Sequence, residues 1–418
     1  RSKSRKRRCQ PRKRQIMPAA SDSKTIQVIN SPYQSEQSLL ERLSASARGQ
    51  VHFALALGAT ALSDIEGISA AGSTPEQRRL TAKLDADILY QSLQKPLVPI
   101  SQELPTSPKG ITSPVVITSA SLSLINSTLA IYDCGTFASC APTAPHLVTP
   151  GRAAGRAMDG ALPLNVVQDL FNYGLKQGET ASSADLICLA ECVPGGTSTA
   201  ALVLTLLGID ALSLGSSSLP DCGGDFKSQL LKSELDNLCQ TQGKTLTQLR
   251  ASCIQDPLLS IALAGDPVQA FASGYLMAAT KLLASSKNNR DSLVVAAGGT
   301  QMLAIWTLMD KLTDVCHSAY RTYLTEHLAI ITTSYVAHDP HARVKDLVQL
   351  CQAPLISIDP GLEQSSHPGL RAYVQGNVKE GVGAGAAFAI ASRLHSQSKM
   401  IETIDQTYSR LVKKQLVI

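Results

Sequence analysis

The sequence predicts an α/β protein: a mainly parallel sheet flanked by helices, Rossmann-like in three layers, with a smaller helical part. Three observations predict it. From Ile26 onward, apolar runs of strand length alternate with longer stretches of helical spacing. Two runs, residues 186–190 and 293–297, lead into a glycine pair and a threonine, Gly195-Gly196-Thr197 and Gly298-Gly299-Thr300, and a helix follows each. Aromatic residues make up only 4% of the chain, which suits close helix-on-sheet packing and argues against a base-stacking surface for nucleic acid.

Taken in order, residues 1–25 read as a disordered basic tail, and residues 26–418 as one α/β domain. Nine Lys or Arg and no acid fall within positions 1–14, so the formal charge of +5 belongs to the tail and the remainder is close to neutral. A nuclear signal, a nucleic-acid arm or a transit peptide are its functional readings, and Met17 also allows a fold that begins after it. Val51–Leu57 reads as a strand, residues 64–74 as a ligand-facing loop, and Thr74-Pro75-Glu76-Gln77 as a capped helix start with Pro at its first position. That helix continues through Ala82, Leu84 and Ile88. Five prolines between 96 and 114 mark a connector. Residues 115–118 and 129–132 read as strands, 133–135 and 150–152 as loops, and 164–175 as a helix ending at 178–180. After the central stretch come a polar loop at 215–220, a helix from Asp225 through Leu238, and another from Gly265-Asp266-Pro267 through Leu283. Residues 287–291 form a polar surface insertion. Strands follow at 293–297 and 329–333, a helix at 370–378, and a small-residue helix after Gly381-Val382-Gly383-Ala384-Gly385.

The central stretch, residues 186–207, carries the first chemical signal. An apolar strand ends at Glu191, Val193-Pro194-Gly195-Gly196 breaks regular structure, and Thr197, Ser198 and Thr199 offer cap side chains to a helix running from Ala200 to Leu207. A helix start with free N–H groups and hydroxyls suits a phosphate. The carboxylate beside it points to chemistry or to recognition of a sugar hydroxyl. The repeat at Gly298-Gly299-Thr300 suggests neighbouring strand ends facing one pocket. Glu380 lies among Gly and Ala with only Lys379 beside it, a setting suited to a general base.

Several functions are excluded by pattern. There is no phosphate loop ending in Gly-Lys-Ser/Thr and no Gly-x-Ser-x-Gly elbow, and the glycines at 381–385 follow a helical segment where a dinucleotide fingerprint needs a strand. The ten cysteines form no Cys-x-x-Cys and read as small apolar residues of a reducing, cytoplasmic protein. The only histidine cluster, His338-Asp339-Pro340-His341, reads as a turn, so no metal is expected. No apolar run reaches membrane-spanning length.

Five ordered blocks then tie the chain to a family. They are Gly67-Ile68-Ser69-Ala70-Ala71-Gly72-Ser73-Thr74-Pro75-Glu76, residues 190–200, Gly265-Asp266-Pro267, Ala297-Gly298-Gly299-Thr300-Gln301-Met302-Leu303-Ala304 and residues 378–385. Over about residues 52–391 the chain resembles the nicotinate-nucleotide:dimethylbenzimidazole phosphoribosyltransferases of cobalamin lower-ligand assembly, nearest to their cyanobacterial and archaeal branch. The resemblance implies that Glu380 is the catalytic base, although Lys379 and Val382 depart from the family's Gly-Glu-Gly-Ser/Thr-Gly pattern. Glu191, aligned with the family's Gly-Glu segment, is the second catalytic candidate. The resemblance also implies a nucleotide and phosphate site at Gly195, Gly196, Thr197, Ser198, Thr199, Lys227, Asp266, Gly298, Gly299 and Thr300. The early loop, with Glu66, Ser69 and Thr74, is the expected acceptor-base pocket.

The implied reaction moves 5-phosphoribosyl from nicotinate mononucleotide to a benzimidazole-type base. The pyridinium leaves with a neutral ring nitrogen and needs no acid, while the incoming azole must lose a proton, so one base is enough and no cofactor is expected. Lys379, if turned inward, would lower the pKa of Glu380. The expected partners are nicotinate mononucleotide and an azole base, with no nucleic acid, no membrane and a homodimer as one possible state. A same-fold transferase using another acceptor, and a non-catalytic nucleotide-binding protein, are the competing expectations.

Overall fold

The computed structural model describes residues 25–94, 104–138, 147–181, 184–285 and 292–412. Nearly all of the expected tail and the polar insertion at 287–291 lie outside these residues. Eight strands form one sheet: β1 (Ile26–Asn30), β2 (Val51–Leu57), β3 (Ser127–Asp133), β4 (Leu147–Val148), β5 (Leu186–Cys192), β6 (Leu293–Ala297), β7 (Leu328–Thr333) and β8 (Leu355–Ile358). Their spatial order is β1-β8-β7-β6-β5-β2-β3-β4. Every pairing is parallel except that of β1 with β8.

Strand residues alternate between two cores. Ala54, Ala56, Ile187, Leu189, Val294 and Ala296 join one cluster; Phe53, Leu55, Cys188, Ala190, Val295 and Ala297 join the other. Both faces are therefore covered, which is why these strands read as unbroken apolar runs. Helices Leu164–Gly178, Gly196–Leu206, Pro267–Ala284 and Thr300–Val315 cover the first face. Helices Glu36–Ser46, Pro75–Ser92, Val115–Ser123, Ala384–Ala391 and Gln397–Val412 cover the second. This is the expected three-layer α/β architecture. Among the described residues no helix is long and apolar enough to cross a membrane.

Three local expectations are corrected. Residues 115–118 are not a strand but the start of helix Val115–Ser123. Pro114 precedes that helix, the Ser113 hydroxyl accepts from the Val115 N–H, and the segment is buried along almost its whole length. Packing on both sides overrides the β-branched preference of Val115, Val116 and Ile117. The helix after Gly195 begins at Gly196, not Ala200, because Gly195 turns left-handed at φ 86° and caps it by backbone alone. Thr197, Ser198 and Thr199 thus sit in its first turn. Residues 370–378 form no continuous helix. A single turn at Pro368–Arg371 tightens to a 3₁₀ segment at Ala372–Gln375 and stops at Gly376, φ 79°.

The chain runs β2, β3, β4 to one side, then returns to place β5 against the other edge of β2 and continues to β8. The direction of winding therefore reverses between β2 and β5. A crevice opens at the carboxyl ends of strands at such a reversal.

Candidate active site

The crevice is an open cleft at the carboxyl ends of the strands. Its floor comes from the ends of β5 and β6: Glu191, Cys192 and Val193 with Gly195, Gly196 and Thr197, and Gly299, Thr300 and Gln301. One wall is the loop Ser69–Gly72 with Thr81 and Asp85; another is Pro105, Thr106, Ser107, Ile111, Ser113 and Pro114; the third is residues 378–382, carrying Glu380. Ser216 and Ser218 staple the walls together. The Ser218 hydroxyl accepts from the Ala70 N–H at 2.9 Å, its carbonyl accepts from the Val378 N–H at 2.9 Å, and the Ser216 carbonyl accepts from the Thr300 hydroxyl at 2.9 Å.

Glu380 is held by four donors. Oε1 accepts from the N–H groups of Gly381 (3.2 Å) and Gly385 (3.1 Å); Oε2 accepts from the Thr333 N–H (2.9 Å) and the Thr332 hydroxyl (3.1 Å). Helix Ala384–Ala391 begins beside this carboxylate, so its dipole favours the charged form. Burial pushes the pKa up, the four hydrogen bonds pull it down, and the net direction is upward. The turn that presents it is strained: Val378, Lys379 and Val382 all have positive φ, at 65°, 63° and 53°. Lys379 thereby takes a conformation that glycine adopts freely, at the position where the family resemblance places Gly. The turn is pinned from several sides. Besides the Ser218 contact, the Thr333 hydroxyl donates to the Lys379 carbonyl (2.7 Å), the Val382 N–H donates to the Glu191 carbonyl (3.1 Å), and the Thr118 hydroxyl donates to the Val382 carbonyl (3.0 Å). Such concentrated strain is characteristic of functional sites.

Lys379 does not pair with Glu380. Its ammonium is buried against the Asp339 carboxylate and also donates to the Leu219 carbonyl at 2.8 Å. Asp339 also accepts from Ser216 and from the Cys222 thiol. Burial raises the pKa of Asp339, but its hydrogen bonds, led by Lys379, carry it below the usual carboxylate value. Asp339 thus belongs to an internal ion pair that anchors the strained turn.

Glu191 is pushed up to about 8 by burial and by the charges of Asp266 and Glu380, against one hydrogen bond from the Val193 N–H. Its side chain keeps some accessible surface in the cleft. It lines the same cleft as Glu380. Asp85, which the sequence did not single out, is pushed up to about 7 by burial, against the nearby Ser113 hydroxyl and Cys192 thiol.

The residues expected to bind phosphate divide. Gly195, Gly196, Thr197, Gly299 and Thr300 line the cleft. Lys227 lines an adjoining open pocket that shares Thr197 with it, and its ammonium donates to the Thr197 hydroxyl at 2.9 Å. Burial lowers the pKa of Lys227 to about 8. Asp266 lies behind the cleft rather than in it. Oδ1 accepts from Val268 and Gln269 at the start of helix Pro267–Ala284, while Oδ2 accepts from the Thr199 hydroxyl (2.5 Å) and the Gln301 side chain (2.7 Å). Asp266 and Thr199 therefore tie the glycine loops together from beneath. Ser198 is buried and lies outside the cleft lining, as does Gly298, although a Cβ built on Gly298 would come within 3.8 Å of Glu191 Oε1.

The expected acceptor pocket is corrected in part. Ser69 lines the cleft, but Glu66 is exposed, and Thr74 is exposed and caps helix Pro75–Ser92 by accepting from the Gln77 N–H. The loop turns these two outward because buried Arg78 draws in the carbonyls of Ser63, Asp64 and Gly72. That part of the cleft lining is built instead by Asp85, Thr81 and the stretch from Pro105 to Pro114.

The sheet order and the cleft at its reversal define an α/β protein of the nicotinate-nucleotide-dimethylbenzimidazole phosphoribosyltransferase fold. Two solved structures from Thermus thermophilus show the same likeness. A nicotinate-nucleotide-dimethylbenzimidazole phosphoribosyltransferase has a TM-score of 0.51 and 15% identity, covering 90% of each chain. A structure described as CobT has a TM-score of 0.52 and 15% identity, covering 92% of this chain and 93% of that one. No family model matches the chain. Among curated proteins, the UPF0284 protein of Rippkaea orientalis is 36% identical over 372 residues, 87% of this chain and 93% of its own length. That of Gloeothece citriformis is 35% identical over 370 residues (86% and 92%), and that of a Nostoc species is 33% identical over 380 (87% and 94%). The chain belongs to the UPF0284 family.

Proposed function

We propose that the protein transfers a 5-phosphoribosyl group from nicotinate mononucleotide to an azole base of the benzimidazole type. The observation that carries this reading is the pairing, in one cleft at the sheet's reversal, of a hydrogen-bonded carboxylate with a glycine-threonine helix start backed by a buried lysine. A phosphate would sit at Gly195, Gly196 and Thr197, with Lys227 reaching it across Thr197. The ribose C1′ would then lie over Glu191 and Glu380.

The chemistry asks little of the protein. The C1′–pyridinium bond breaks with its electron pair passing to the ring nitrogen, and nicotinate departs. A bond forms from C1′ to the imine-type nitrogen of the azole, and the proton on its other ring nitrogen passes to a carboxylate. Positioning two rings about one carbon supplies much of the remaining acceleration. Glu380 is the proposed base. A carboxylate has about four lone-pair sites, and four donors occupy them here. Proton transfer therefore requires one donor to yield.

The same occupancy favours one second reading, in which Glu380 only shapes the turn and Glu191, with fewer donors, takes the proton once ionised above about pH 8. Incubation with nicotinate mononucleotide and a panel of azoles, with mass detection of a new ribotide, tests the function itself. Absence of any ribotide despite nucleotide binding favours a non-catalytic binding protein.

A further inference from the structure

We propose that Asp85 selects the acceptor: the cleft takes a ring that carries a hydrogen-bond donor, an O–H or N–H, on the edge remote from the nitrogen that receives the ribosyl group. This inference rests on the transferase reading above and concerns the acceptor side of the same cleft.

Asp85 projects from helix Pro75–Ser92, is 1% exposed and lines the cleft. Its Oδ2 accepts from the Cys192 thiol at 3.5 Å. Its Oδ1 is buried and has no hydrogen-bond partner among the described residues. Neighbouring groups do not fill that need. The Ser113 hydroxyl lies near the carboxylate and favours its charged form, but it closes no hydrogen bond to Oδ1. The Thr81 hydroxyl is engaged by the carbonyls of Ala71 (2.6 Å) and Gln77 (3.1 Å), and Pro105, Ile111 and Pro114 present only apolar surface. The turn carrying Glu380 abuts the same surface, since a Cβ built on Gly381 would lie 3.3 Å from Pro114 Cγ. A flat ring resting on these prolines has apolar contacts on its face and an acidic group at its edge.

A buried acceptor without a donor costs the full desolvation of that group. In the empty cleft Oδ1 is already in that state, and a ring edge bearing methyl groups leaves it there. An edge bearing a hydroxyl or amino group satisfies it. Burial holds the Asp85 pKa near 7, and the carboxyl keeps acceptor capacity in either protonation state. Sites built to hydrogen-bond a substrate group discriminate strongly against analogues that lack it, because their own polar group is then stranded.

The test compares 5-hydroxybenzimidazole and 5-aminobenzimidazole with 5,6-dimethylbenzimidazole on the full chain. Two readouts are taken: ribotide formation in direct competition, and equilibrium binding of each azole by calorimetry without nucleotide. The expected result is a preference for the donor-bearing rings of about 10–100-fold in both, the range for a hydrogen bond to a charged group. Asp85→Leu removes the carboxyl and should reverse the preference toward the dimethyl ring. Asp85→Asn keeps an acceptor oxygen and should retain part of it, which separates recognition from any loss of fold. A wild type that prefers the dimethyl ring, or an unchanged ratio in Asp85→Leu, overturns the proposal. If no ribotide forms but the binding preference and its reversal are seen, acceptor recognition by Asp85 stands and the transferase reading falls.

Discussion

Replacing Glu380 by Gln separates catalysis from architecture, and the structure sets both magnitudes. The amide nitrogen must take the place of one carboxylate oxygen. If it replaces Oε1, two backbone donors, Gly381 and Gly385, lose their acceptor. If it replaces Oε2, the Thr332 hydroxyl can rotate to accept from it and only the Thr333 N–H is stranded. The second orientation is therefore favoured, at a cost of one unsatisfied buried donor, about 1–3 kcal/mol. For a chain of this size that lowers the melting temperature by a few degrees, on the order of 2 °C per kcal/mol. Loss of the general base slows turnover by about 10²–10⁴-fold. Single-turnover assays of azole ribotide, run well below the melting temperature and with nucleotide binding checked by calorimetry, read the two effects apart. In the companion variant Glu191→Gln, the amide mimics the protonated acid that a pKa of about 8 dictates at pH 7. It should change the rate little at pH 7. If Glu380→Gln keeps turnover within about 3-fold while stability falls as calculated, Glu380 is a structural cap and the mechanism assigned to it is wrong. Loss of activity above pH 8 in Glu191→Gln would then move the base to Glu191.

Four further outcomes follow from the same geometry. Lys227→Ala should weaken nicotinate mononucleotide binding by about 1–3 kcal/mol; unchanged affinity removes Lys227 from the phosphate site. Because the Lys227 pKa is lowered to about 8 and a phosphate favours the ammonium, binding at pH 8 should take up protons and weaken as pH rises further, as calorimetry in buffers of different ionisation enthalpy will show. Lys379→Met leaves Asp339 as an uncompensated buried charge and should destabilise the fold by about 3–5 kcal/mol in denaturant titration, with partial recovery on adding Asp339→Asn. The unliganded protein should lose stability between pH 5 and pH 8. Glu191 and Asp85 have folded pKa values near 8 and 7, above their unfolded values, so the folded state holds protons that the unfolded state releases; the stabilisation is complete below the unfolded values and fades as pH rises through the folded ones. The change should shrink in Glu191→Gln.

Much of this arrangement is legible in the sequence, and the misses have physical causes. β2, β3, β5, β6 and β7 announce themselves as apolar runs because both faces of the sheet are covered. β8 is only four residues long, and β1 follows directly on the basic tail, so neither stands out. The glycine loops and Glu380 are visible because glycine, threonine and a carboxylate at strand ends have few structural uses. Asp85 is not, since an acid on a helix reading Lys-Leu-Asp-Ala-Asp resembles a solvated face. Its burial comes from residues distant in sequence, Cys192 at the end of β5 and Ser113 of the connector among them. Lys379 and Asp339 lie 40 residues apart, and nothing local in either segment reveals their pairing. Glu66 and Thr74 sit in the right loop but face outward, because the direction of that loop is set by Arg78.

The most direct test is the stoichiometry of one reaction. Purified protein is given nicotinate mononucleotide and a hydroxybenzimidazole, and nicotinate and ribotide are quantified together over time. The account expects them to appear one for one, with neither forming when the azole is omitted. Nicotinate released without ribotide would mark a hydrolase, nucleotide bound but recovered intact would mark a binding protein, and either result would contradict the transfer proposed for this cleft.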